Sequence, residues 1–319
     1  MTANPTIRKA FGDLEDFKIS RAPVATEFVG FAEQDAPESY QPEVAEGSKF
    51  EAVKVSEPTG SGITHFLDGA QRQWSRLTVG FHPIVLAHTS AAVLVREERN
   101  LRLPSEDAYR GGLAAYGPDR PAIADRFGEL GIPYVIVQET EEKGYNPSLA
   151  IGKRREAMER EIGQPFKADC LLVDGGIGWM LEGANTSTNY IGLVKSHKHR
   201  YFKTVEEQAV VLGLRAGERT RVFNRPRSEK QGGAAYSFYM RLHAATDFDP
   251  LYGLVRIELA QVQRSIEQAD EIAGWLMAET APLSLPDPRY HCLIYPIRMV
   301  EQYLRSRQPS DAAIAGILG

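Results

Sequence analysis

The chain has 319 residues, 43% of them hydrophobic and 25% charged, with a formal net charge of −5. That length can bury a large core, and the net acidity excludes a general nucleic-acid coat protein while leaving room for an enzyme with an acidic site and a local basic surface. Two cysteines, Cys170 and Cys292, exclude a disulfide framework and a cysteine zinc site, and neither a signal-peptide core nor a membrane-length apolar run occurs, so a soluble, cytoplasmic protein without membrane attachment is expected.

Residues 1–30 mix charge with Phe11, Phe17 and Phe28 and suit a short helix or an arm. Residues 31–61 are rich in Glu, Pro, Ser and Gly and read as a linker, with the ordered core beginning at Ile63. The stretch 62–70, GITHFLDGA, carries Ile63, Phe66 and Leu67 into Asp68-Gly69 and predicts a strand that stops there. Two β-type runs follow, 78–87 and 90–96, with a break at His88-Thr89; three strands in quick succession predict an antiparallel meander. A polar stretch leads to a helix over 123–130 and a strand over 132–138.

Residues 146–162 predict a helix, with Asn146 as N-cap, Pro147 at the first position and Gly163 as the stop. Leu149, Ile151, Met158 and Ile162 form its apolar side; Arg155 and Glu159 are an i,i+4 pair beside that stripe, and Glu156 points further out. The stretch 168–179, ADCLLVDGGIGW, organises the rest. Its apolar run is that of a buried parallel-type strand, and Asp174 stands at the carboxyl end, where open α/β sheets place their ligands. Asp-Gly is also an ordinary turn dipeptide, but two strands ending in it would bring Asp68 and Asp174 together as the outline of a metal site.

The run 190–195, YIGLVK, predicts another strand and empties into SHKHRYFK, where basic residues interleave with aromatics as a phosphate backbone and stacked bases require. His197 and His199 would serve a metal only if they shared a strand face; a polar loop is the plainer reading. Residues 216–232 form a second basic stretch, 235–242 and 254–259 predict a hairpin, 261–277 a helix, and 290–305 contain the last helix.

In order along the chain, FLDGA at 66–70, R-x-x-x-E at 155–159, LLVDGG at 171–176, IGLVK at 191–195, the later FYMRL and VRIEL runs and the Tyr-Pro that opens the last helix resemble the NurA family, nucleases that partner HerA-type DNA translocases. The resemblance spans about residues 60–305 and implies an α/β fold: a ribonuclease-H-like mixed sheet flanked by helices, with an additional β-hairpin and C-terminal helices. It implies a 1–61 arm and linker, a 62–306 nuclease domain and a 307–319 tail. It implies a two-metal carboxylate site using Mn²⁺ or Mg²⁺, 5′–3′ exonuclease and single-strand endonuclease action on DNA, and a homodimer docked on a HerA-like hexameric ATPase in end processing, repair or defence.

Carried over residue by residue, Asp68, Glu159 and Asp174 match the family's acidic ligands, with Glu156 the alternative if the helix is displaced by a turn, and Lys195 matches its lysine. Two positions depart from the pattern. Ala70 stands where the family has Ser after Asp-Gly, and the terminal helix lacks the usual Asp or His, leaving Glu301 as the nearest fourth ligand beside Gln302. Lys198, Arg200, Lys203 and Tyr201 are the expected DNA contacts. Two further readings are an inactive adaptor that keeps the fold and recruits the translocase, and an actin- or sugar-kinase-like phosphotransferase; the latter would need a second Gly-rich phosphate loop, which this sequence lacks.

Overall fold

The structure, a computed structural model, describes residues 6–20, 43–57, 60–98, 100–139, 144–182, 188–197, 201–202, 204–227, 232–244, 249–280 and 290–319. The chain opens with α1 (Ile7–Ala10) and the strands β1 (Phe17–Ile19) and β2 (Ala52–Lys54). Then come two long strands, β3 (His65–Val79) and β4 (His82–Glu97), followed by β5 (Asn100–Arg102) and β6 (Tyr109–Gly117). The expected strand end at Asp68-Gly69 and the expected break at His88-Thr89 are therefore both corrected. The chain turns instead at Gly80, whose φ of 56° suits glycine, and β4 runs on because His88, Thr89 and Ser90 are buried in mid-strand.

Next are α2 (Pro121–Glu129), β7 (Tyr134–Ile136), α3 (Pro147–Gly163), β8 (Cys170–Asp174), α4 (Gly178–Leu181) and β9 (Asn189–Val194). The predicted cap of α3 is formed: the Asn146 side chain accepts from the Leu149 amide at 2.9 Å. The last part contains α5 (Val205–Leu212), β10 (Glu218–Thr220), β11 (Phe223–Arg225), β12 (Ala235–Arg241) and β13 (Leu254–Leu259). It closes with α6 (Gln263–Glu267), α7 (Ala269–Ala278), α8 (Tyr295–Ser306) and α9 (Asp311–Leu318). One predicted helix is thus two, α6 and α7, and the expected tail contains α9.

All these strands join one mixed sheet with the path β2-β10-β12-β13-β9-β8-β3-β4-β6-β7. At its centre β6, β4 and β3 are antiparallel neighbours, and β8 and β9 continue from β3 in parallel. This is the mixed α/β sheet flanked by helices that was expected. The predicted hairpin, β12 with β13, is formed and extends the same sheet through β9.

Successive strand residues face opposite sides. Phe66, Leu94, Leu172, Leu193 and Val255 pack one face against Ile272 and Leu276 of α7 and Ile297, Val300 and Leu304 of α8. Leu67, Val93, Leu171 and Val173 pack the other against Met158 and Ile162 of α3. A third cluster joins Ile7, Phe11 and Phe17 to Trp74, Leu77 and Leu86 and to Ile314 and Leu318 of α9. Described structure thus begins well before Ile63, because Ile7 of α1, Phe11 after it and Phe17 of β1 are buried against the outer half of β3. Part of the expected linker is also built in: Glu46 receives Arg219 at 2.7 Å.

Candidate metal and nucleic-acid site

The parallel register between β3 and β8 ends with Leu67 opposite Val173. One step further, Asp68 and Asp174 emerge side by side on the α8 face, at the point where β8 stops and β3 continues. Gly69 does not turn the chain. It leaves room, since a side chain there would collide with the Glu159 carboxylate and come within 3.0 Å of Arg155. From α8, Glu301 lies next to the buried Ile297–Val300–Leu304 stripe and reaches the same point. Asp68, Asp174 and Glu301 each offer an oxygen, all within 4.8 Å of one another.

The cluster lies in an open cleft of about 800 Å³, lined also by Arg72, Arg155, Lys195, Arg305 and Gln308. Lys195, just beyond β9, places its Nζ 2.6 Å from Asp174 Oδ1. Burial works against the Lys195 charge, but Asp174, with Asp68 and Glu301 behind it, outweighs burial and holds the ammonium above its usual range. Asp68 is the most enclosed of the three carboxylates. Burial first, then the charges of Asp174, Glu159 and Glu301, push its carboxyl well above the usual range, against the pull of Lys195. Its Oδ1 accepts one backbone bond, from Gly69 N–H at 2.7 Å.

Glu159 sits behind Gly69 and is held by Arg155 one helical turn away. Burial raises its carboxyl to about 7 despite Arg155, with Glu156 and Asp174 adding to the rise. It is close enough to load Asp68 electrostatically but stands outside the tight triad. Glu156, the alternative ligand, is more than half exposed and lies 3.5 Å from Arg155, also outside the triad.

Among the expected DNA contacts, Lys198, Arg200 and Lys203 lie outside the described residues, as does His199. Tyr201 is buried. Its ring packs on Phe223 and lies 4.9 Å beneath the Arg256 guanidinium, so it belongs to a core cluster. His197 Nε2 meets Leu254 O at 3.0 Å, apart from the carboxylates. The second basic stretch also turns inward: Arg219 and Arg221 pair with Glu46, and Arg225 with Glu258. Arg305 was not anticipated as a cleft residue, yet its i,i+4 spacing from Glu301 was legible; the two lie 3.5 Å apart.

Three all-oxygen donors this close suit a hard divalent cation such as Mg²⁺ or Mn²⁺ better than zinc, which favours nitrogen and sulfur. No family model matches the chain, and no curated protein does. Among solved structures it is similar to the NurA nuclease from Sulfolobus solfataricus, with a TM-score of 0.49 and 11% identity over 90% of this chain and 88% of that one.

Proposed function

We propose that the chain is a divalent-cation-dependent deoxyribonuclease. The observation that carries this reading is the convergence of Asp68, Asp174 and Glu301 within 4.8 Å in an open cleft, with Lys195 against Asp174. Asp68, Asp174 and Glu301 would hold the cation, and Glu159 stands ready as a further ligand if Arg155 releases it. A bound Mn²⁺ or Mg²⁺ supplies Lewis acidity toward the scissile phosphate and lowers the pKa of a coordinated water. Lys195 is placed to offset charge building on the phosphate oxygens. Arg72 and Arg305 also line the cleft, paired with Asp311 and Glu301, and could turn to flanking phosphates.

The order of motifs along the sequence supports the finer reading: a NurA-type nuclease with 5′–3′ exonuclease and single-strand endonuclease activity, a homodimer working with a HerA-like hexameric ATPase on DNA ends in repair or defence. The cytoplasm is the location that goes with this reading; among the described residues no helix is long and apolar enough to cross a membrane. Cutting of labelled single-stranded and end-labelled duplex DNA, with Mn²⁺ and after EDTA, tests the proposal. Cation-dependent cutting that Asp174→Ala removes is the expected result. An intact substrate under every cation, or cutting indifferent to EDTA, would refute it.

A further inference from the structure

The turn after Asp174 has little stiffness of its own. Gly175 has a φ of 122° and Gly176 follows, so no side chain braces the backbone between β8 and Ile177. The turn is held at its two ends. Gly175 N–H donates to Leu193 O at 2.9 Å, and Ile177 N–H donates to Glu258 Oε2 at 2.9 Å.

Glu258 comes from two strands away, and the registers show how it arrives. Glu258 lies opposite Gly192, which lies opposite Val173. The three stand in a row on one face of the sheet, and the middle one has no side chain. A Cβ at position 192 would stand 2.8 Å from Gly175 O, 3.0 Å from Ile177 Cγ2 and 3.2 Å from Glu258 Cβ. Gly192 is therefore the opening through which Glu258 reaches the turn and the turn folds back over β9.

The carboxylate itself is 1% exposed, and its two oxygens have separate partners. Oε1 takes both cations, Arg256 Nη1 at 2.6 Å and Arg225 Nε at 2.9 Å, the second as a close ion pair rather than an aligned hydrogen bond. Oε2 is left for Ile177. A buried group of two arginines and one glutamate is costly to desolvate, and a packed apolar core would stabilise the fold at least as well. Its arrangement has one outcome that an apolar core would lack: a fixed acceptor under the turn that carries Asp174.

We propose that Glu258 is a positioning residue for Asp174, acting as a latch through the bare position of Gly192 to fix the 174–177 turn where Asp174 meets Asp68, Glu301 and Lys195. The consequence for cation binding rests on the function proposed above; the latch does not. The test uses three variants of the full chain. Glu258→Gln alters the acceptor but also leaves Arg225 and Arg256 without their counter-charge. Gly192→Ala keeps the charges of that trio but crowds both Gly175 O and the Glu258 Cβ, so it obstructs the passage from both sides. Ser237→Ala is the control: it removes a hydroxyl that bonds Ile257 O at 2.7 Å and Arg256 at 3.2 Å, beside Glu258 but without contact with the turn.

Amide hydrogen exchange of segment 174–177 reads the latch, and calorimetric Mn²⁺ titration without DNA reads its consequence. Expected are faster exchange and Mn²⁺ affinity weaker by about ten-fold or more in Gly192→Ala and Glu258→Gln, with neither change in Ser237→Ala. Unchanged exchange in a folded Gly192→Ala variant would overturn the latch. So would equal losses in Ser237→Ala, which would reduce the effect to general destabilisation; faster exchange with Mn²⁺ affinity unaltered would overturn Glu258 as a positioning residue for Asp174. If the parent protein takes up no Mn²⁺, the proposed function fails instead, and the exchange data alone decide for or against Glu258.

Discussion

Replacing Glu159 by Gln should stabilise the cation-free protein near neutral pH and have little effect near pH 5. Burial raises the Glu159 carboxyl from 4.5 to about 7 against the pull of Arg155. At about 1.4 kcal/mol per unit, that difference of roughly 2.5 units corresponds to about 3 kcal/mol. The sign follows from proton counting. Between the two values the folded state keeps a proton that the unfolded chain has released, so stability falls as pH rises and the full cost is present above 7. Glutamine cannot titrate and has no such slope. Urea unfolding of parent and variant in EDTA, at about pH 5 and about pH 8, should show the variant gaining most of that 3 kcal/mol relative to the parent. A difference that is flat with pH, or that moves in favour of the parent at high pH, would refute the reasoning: Arg155 would then hold Glu159 ionised, and burial would not govern the group.

Asp174→Ala should leave the circular dichroism spectrum unchanged and lower cleavage by more than about a hundredfold, since loss of an outer-shell partner alone costs about 10- to 100-fold; substantial residual cutting by the folded variant would remove Asp174 from the site. After EDTA, Mn²⁺ or Mg²⁺ should restore activity and Zn²⁺ should not; robust zinc-supported cleavage would displace the all-oxygen assignment. Lys195→Ala should lower the single-turnover rate at saturating DNA while leaving the salt dependence of binding nearly unchanged, and the reverse pattern would make it a backbone contact only. Arg305→Ala should instead weaken binding and flatten its salt dependence by about one counterion, which isotherms at several salt concentrations would detect.

Apolar runs with a single periodicity were legible in the sequence. LLVD and YIGLV formed the two parallel strands, the Asn146-Pro147 cap started α3, and the alternating 235–242 and 254–259 runs formed a hairpin. What misled was polarity inside strands. Asp68, His88 and Thr89 are polar residues in mid-strand, and polar residues ordinarily mark ends. β6, with the sequence YRGGLAAYG, carries almost no strand signal of its own; it is a strand because β4 offers it an edge to pair with. The basic 216–232 stretch could not be read as internal, because Glu46 and Glu51, which pair with Arg219 and Arg221, lie far back in a segment that resembles a linker. Glu301 was reachable only through the resemblance and its place beside the apolar stripe of α8. Glu258 gave no signal, since a glutamate in an alternating strand is ordinarily an exposed one.

The order in which the triad is written along the chain has a consequence for synthesis. Asp68 and Asp174 stand on adjacent strands, but Glu301 belongs to α8, which follows every strand of the sheet among the described residues. Chains emerge from the ribosome in sequence order and fold as they do so. A nascent chain can therefore assemble the β3–β8 pair and its two carboxylates while the third ligand is still untranslated. If the chain cuts DNA as proposed, it would be harmless through most of its own manufacture, and premature termination anywhere before α8 would release a fragment without the third carboxylate.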